Sequence, residues 1–354
     1  MSKFWFVLFS TSLVGCATVS PRTSIQGMGG RNAYNIAIQQ STSEQMLLNI
    51  VRMRYADTPF FLDVNTITTQ YTFKTGAGTS FKIPGFNEKN PASFGFDYSW
   101  QNQPTIQYAP LEGQDFAAQL MEPIDLRILQ QLIFTGWDIS RLFKLTLQSF
   151  DDHSNAFRAA TSSSQEEDAQ YHRFNEIMTL MRQLQLEHKI QLGVKDHMLQ
   201  ITFANDSPEA RELAQLLKHA ELVKNRYVVN LKVGFNDDAE IGILPRSIMG
   251  CMYYLSLGVK VPIEDAENRV ANIPNSDLPQ YLELQKTIAK LITIHSSSVE
   301  PRDAFLSICY HGTYFYIKDN DLDSKKTFAL LQQLYNLQAK EVKVPPPILS
   351  LPLG

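Results

Sequence analysis

Cysteine is scarce, with three in 354 residues at positions 16, 251 and 309. That count excludes a disulfide-stapled scaffold and a four-cysteine zinc site. Seven histidines are scattered singly, and neither HExxH nor CxxC occurs, so no metal centre and no cofactor are expected. Charge of one sign is also lacking. Lys and Arg number 32 against 36 Asp and Glu, and no long basic block exists, which argues against a nucleic-acid partner. GxSxG is absent, and Gly27-Met28-Gly29-Gly30 has neither the spacing nor the preceding strand of a phosphate cradle. No catalytic residue is nominated, and the chain is not expected to be an enzyme. Past the opening residues, no apolar run approaches the roughly 20 residues of a membrane-spanning helix.

The opening stretch MSKFWFVLFSTSLVGC is what the chain does offer. Lys3 and the amino terminus make a positive start, and Phe4 to Val14 carry no charge, the pattern of a signal-peptide core. Leu13, Val14, Gly15 and Cys16 match the lipobox of bacterial lipoproteins. In such proteins, signal peptidase recognises the first three and cuts before the cysteine. The thiol then takes a diacylglycerol, and the new amino group takes an acyl chain such as palmitate. Several acyl chains, at about 0.8 kcal/mol per buried methylene, make such an anchor effectively permanent. Ala17 follows, where a residue other than Asp implies export to the outer membrane. The reading is therefore a lipid-anchored protein facing the periplasm. That compartment permits a disulfide, for which Cys251 and Cys309 are the candidates, with buried thiols as the alternative.

With 44% hydrophobic and 19% charged residues, the remainder can bury a core. Residues 1–15 read as signal peptide and 16–32, rich in Ser, Thr, Gly and Pro, as a flexible tether. Ser41-Thr42-Ser43-Glu44 fits a capping box for a helix over 42–55, with Met46, Leu47, Ile50 and Val51 on one face. Over 60–108, period-two alternation that includes Phe94, Phe96, Tyr98 and Trp100 predicts a small antiparallel meander with an aromatic face. That face reads as core or as a contact surface. Residues 112–188 read as helical. Beyond 189, strands in hairpins mix with helices, and 259–282 looks like a connecting loop. The fold expected is α+β, with a helical middle and a mixed C-terminal domain. The first body spans 33–160 and the second 161–340. Residues 341–354 form an extended proline-rich tail, suited to packing on its own domain or in a neighbour's groove.

Three acidic groups remain. Asp151-Asp152-His153 reads as a solvated helix face rather than a ligand set, because helical neighbours diverge by about 100°. Asp319, Asp321 and Asp323 lack the glycine and final glutamate of a calcium loop and read as a turn with a helix cap. Glu122 and Asp125 are the carboxylates that a hydrolase reading would need.

Four stretches carry a family resemblance: SEQMLLNIVRMRYADTPFFLDVNTITTQY, PTIQYAPLEGQDFAAQLMEPI, IMGCMYYLSLGVKVP and GTYFYIKDNDLDSKKTFALLQQLYNLQ. Together the chain resembles a family of bacterial outer-membrane lipoproteins of undefined role. It is also similar to the accessory lipoproteins of the Dot/Icm (type IVB) secretion core complex. The resemblance implies a structural subunit of an envelope complex, with protein partners. The alternatives are a lipoprotein binding a small ligand or peptidoglycan, and an envelope hydrolase.

Overall fold

A computed structural model describes residues 30–77, 96–111, 113–155, 165–195, 198–217, 219–236, 240–268, 270–271, 286 and 288–338. The lipobox, most of the tether and the proline-rich tail lie outside them. The chain divides into two compact units, Met1–Ser43 and Glu44–Gly354. Within the first, the described residues form the start of helix α1 (Gly30–Arg54).

That helix begins well before the expected capping box, so Ser41 and Glu44 are interior helical residues. Ser43 Oγ instead donates to Gln39 O at 2.8 Å, the i−4 bond by which a serine is accommodated inside a helix. Arg52 and Arg54 stand in the last turn, where cations complement the dipole.

The fold is α+β. After α1 come β1 (Phe61–Ala77) and β2 (Phe96–Leu111), paired antiparallel as a long two-stranded ribbon. Gly78 to Pro91, which were expected to punctuate a meander, lie outside the described residues, as does Phe94. Three helices follow: α2 (Gln114–Met121), α3 (Leu126–Phe134) and α4 (Ile139–Thr146). Asp138 starts α4 by accepting from the amides of Ser140 and Arg141, a cap contributing about 1 kcal/mol.

The main sheet is mixed and seven-stranded. It is built from β3 (Leu147–Phe150), β4 (His153–Ser154), β5 (Ile190–Lys195), β6 (Met198–Ala204), β7 (Glu221–Val223), β8 (Arg226–Val233) and β9 (Ile241–Pro245). Their order is β4-β3-β9-β8-β6-β5, with β7 also on β8. Between them lie α5 (Gln165–Leu186) and α6 (Pro208–Leu216). After β9 come α7 (Ile248–Ser256) and α8 (Ile263–Glu267), the latter inside the segment expected to be loop. A second sheet, β10 (His295–Ser297), β11 (Ala304–Tyr310) and β12 (Thr313–Lys318), precedes α9 (Leu322–Gln338).

The boundary expected near residue 160 does not separate two cores. Strand β3 precedes it, β9 follows it, and the two are hydrogen-bonded neighbours over one continuous apolar cluster. The sheet also departs from the hairpin pairing expected beyond residue 189, because β8 and β9 run parallel. Their link is short. It turns at Gly234, with φ 122°, and passes directly over Gly242. A Cβ at Gly242 would meet Gly234 O at 2.4 Å and Asn236 N at 2.6 Å, so the crossover needs glycine at both places. Hairpins at Asp151-Asp152, Lys224-Asn225 and His311-Gly312 all have two central residues with positive φ, as type I′ turns require.

Candidate functional site

The described residues place the sequence-nominated groups as follows. Leu13, Val14, Gly15 and Cys16 fall outside them. Cys251 and Cys309 are both free thiols, so the disulfide the sequence offered is not formed. The reason is placement. Cys251 is fully buried on α7, its Sγ 3.4 Å from Leu145 O, whereas Cys309 is exposed on β11 opposite Tyr314. Burial pushes the Cys251 thiol up to about 12, which makes it inert.

Asp151-Asp152-His153 is not a helix face but the tight turn between β3 and β4. Asp tolerates the left-handed region that the turn demands. Asn236 Nδ2 donates to both carboxylates at 2.9 and 2.8 Å, and its Oδ1 accepts from Gly242 N at 2.5 Å. The carboxylates thus clamp the β8–β9 crossover. Asp321 accepts from the amide and hydroxyl of Ser324, and Asp319 pairs with Lys325 at 2.7 Å, the turn-and-cap role expected. Asp125 caps α3 through the Arg127 amide. No group of three or more potential ligands able to hold a metal ion occurs among the described residues.

Two clusters escaped the sequence reading. The first surrounds Arg246, which is 8% exposed and, among the described residues, is met by backbone carbonyls and an aromatic ring rather than by a carboxylate. Its Nη1 donates to the carbonyls of Lys144 and Leu145 at 3.2 Å each and of Leu147 at 2.5 Å. Its guanidinium carbon lies 4.1 Å from the Tyr254 ring centroid. A cation thus neutralises the carbonyl end of α4, where the dipole favours it. Burial lowers the Arg246 pKa from its ordinary value and raises that of Tyr254. Asn155 Nδ2 shares two of those carbonyls, Lys144 O at 2.7 Å and Leu147 O at 2.6 Å. This is an internal fastening between α4, β3 and α7.

The second cluster forms where the end of α1 meets the last hairpin. Tyr55 is buried and donates to Asp265 Oδ2 at 2.5 Å. Tyr310 donates to Asp57 and stacks on His311 with ring centroids 4.2 Å apart. Tyr55 also makes edge contacts with Tyr310 and Phe315 at 5.5 and 5.9 Å. Burial, then the hydrogen-bonded carboxylate, raises both phenols, Tyr310 to about 12. These groups lie up to 253 residues apart in the chain, and no local spacing in the sequence announces them.

At the root of the ribbon, α1 imitates a third strand. Gln45 and Asn49, one helical turn apart, each exchange two hydrogen bonds with a backbone. Gln45 pairs with Leu62, and buried Asn49 pairs with Phe60. Four helical residues rise about 6 Å and two strand residues about 6.7 Å, so the two spacings match. Phe61 lies between these residues and packs on Phe116 and Tyr335 at 5.6 and 5.7 Å.

A shallow depression of about 200 Å³, open to solvent, is lined by Phe116, Leu120, Ile248 and Tyr335. The chain matches no known family, no curated protein and no solved structure.

Proposed function

We propose that the chain is a periplasmic lipoprotein, held at the outer membrane through acylated Cys16, and that it works as a structural subunit of an envelope complex. Its resemblance to accessory lipoproteins of the type IVB secretion core suggests that kind of assembly. Support for the anchor is the Leu13-Val14-Gly15-Cys16 motif behind an uncharged run.

The observation that carries the structural role is the β1–β2 ribbon. Its strands, 17 and 16 residues long, pair only with each other among the described residues. Strands average about 5–6 residues, and an isolated two-stranded ribbon is marginal in water. A ribbon this long, rooted in a packed body by Asn49 and Phe61, suits a protein that completes itself against a neighbour.

Extraction of native membranes in mild detergent tests the reading. The expected product is a chain starting at residue 16, carrying the acyl mass and migrating with other envelope proteins. A bare thiol with the leader intact overturns the anchor, and a lone monomer overturns the assembly.

A further inference from the structure

Along the ribbon, register and residue type are tightly matched. On one face Phe73 pairs with Trp100, Tyr71 with Asn102 and Ile67 with Ile106. On the other Thr72 pairs with Gln101, Gln70 with Gln103 and Thr68 with Thr105. The charged positions Asp63, Lys74 and Asp97 all fall on this second, polar face.

The bulge between Val64 and Thr66 is what preserves the sorting. The apolar positions of β1 change phase there, from Leu62 and Val64 to Ile67, Tyr71 and Phe73. A one-residue slip normally sends every later side chain to the opposite face. The extra residue absorbs it, and Leu62, Val64 and Ile67 stay on one face with Tyr108 and Ile106.

A soluble ribbon has no need of a largely apolar face, and among the described residues β1 and β2 make extensive contact only with each other. The pattern is that of a membrane β-strand pair: mostly apolar on one face, polar on the other with its charged positions towards the two ends, and aromatic at both ends. Tyr108 stands near the root, and Tyr98 and Trp100 stand towards the tip. From Thr66 to Ala77 the pairing is unbroken, which covers the about 9–11 residues that a tilted strand needs to cross hydrocarbon.

We infer that this ribbon inserts into the outer membrane, its apolar face against acyl chains and its polar face towards an aqueous lumen. Hydrocarbon tolerates no open sheet edge, so further copies of the chain supply the neighbouring strands and close a shared barrel. Pro104 and Pro110 lack an N–H, and closure rests on the other positions of β2. At the root, the hydrogen bonds from Gln45 to Leu62 and Asn49 to Phe60 stop the pairing at the body. The inference rests on the anchored-lipoprotein reading.

The test uses the acylated full chain, extracted from membranes and reconstituted into phosphatidylethanolamine–phosphatidylglycerol vesicles. Trp137→Phe leaves Trp100 as the single tryptophan after residue 16. Flotation with the vesicles reports the anchor. Quenching by acyl-brominated lipid reports the ribbon, with Trp100 emission expected to fall about twofold or more for an inserted aromatic. Phe73→Asp, on the apolar face, should abolish the quenching without preventing flotation, while Thr72→Asp, on the polar face, should preserve it. Unheated gels should show a multiple of the monomer that collapses on heating. Flotation with unquenched Trp100 overturns the insertion and leaves the anchor standing, whereas failure to float overturns both. Quenching in a strictly monomeric species overturns the shared barrel.

Discussion

Replacing Arg246 with Met tests whether a buried cation held by backbone carbonyls and an aromatic ring stabilises this fold. Burying an unpaired charge costs several kcal/mol, and that cost is relieved in Arg246→Met. Against it stand three carbonyl contacts from one nitrogen, at 3.2, 3.2 and 2.5 Å. Hydrogen bonds to a charged group contribute about 1.5–3 kcal/mol each, less when one nitrogen is shared. The desolvated stack on Tyr254 adds about 2 kcal/mol. The carbonyls are not wholly orphaned by the change. Asn155 still reaches Lys144 O and Leu147 O, and Cys251 still reaches Leu145 O. The net expectation is a loss of about 2–3 kcal/mol. Urea unfolding of the full chain, followed by far-ultraviolet circular dichroism, measures it. Because Arg246 and Asn155 share acceptors, the double change with Asn155→Ala should cost about 1–2 kcal/mol beyond the sum of the single changes. A variant as stable as the parent, or a strictly additive cycle, would refute the assignment of Arg246 as the fastening between α4 and α7.

Gly242→Ala should destabilise by about 3 kcal/mol or more, because the new methyl would displace backbone atoms of the β8–β9 crossover; the same urea assay reads it, and a loss under about 1 kcal/mol would show that the crossover yields. Alkaline unfolding tests the tyrosine cluster. Tyr310 is raised from 10.0 to about 12, so its contribution is complete below pH 10 and is lost as pH rises towards 12. Tyr310→Phe should flatten that part of the stability–pH curve, and an unchanged alkaline limb would count against the Tyr310–Asp57 bond.

Much of the architecture was legible along the chain because its causes are local. Helices α4, α6, α7 and α9 follow from apolar spacing and, for the first three, from the caps Asp138, Ser207 and Ser247. The His311-Gly312 hairpin follows from residues that accept positive φ. The failures have equally physical causes. Ser41 to Glu44 has the composition of a cap, but a serine that bonds back to i−4 lets the helix run through. Asp151-Asp152-His153 reads as helical in the sequence because nothing local distinguishes a solvated helical turn from a two-residue hairpin. That choice is made by β9, which pairs with β3 from about ninety residues away.

Sequence alone determined the lipobox-like spacing at Leu13 to Cys16, the α+β class and the aromatic alternation at 94–100, since each depends on residue type and spacing within a short window. Only the tertiary structure decided that Cys251 and Cys309 stay apart, that Arg246 fastens a helix end, and that two carboxylates meet two tyrosines. It also decided the face on which each ribbon residue falls, because a one-residue bulge resets the register and can be read only from both strands together. Contacts between residues a hundred or more positions apart are set by packing, and packing is a property of the folded chain as a whole.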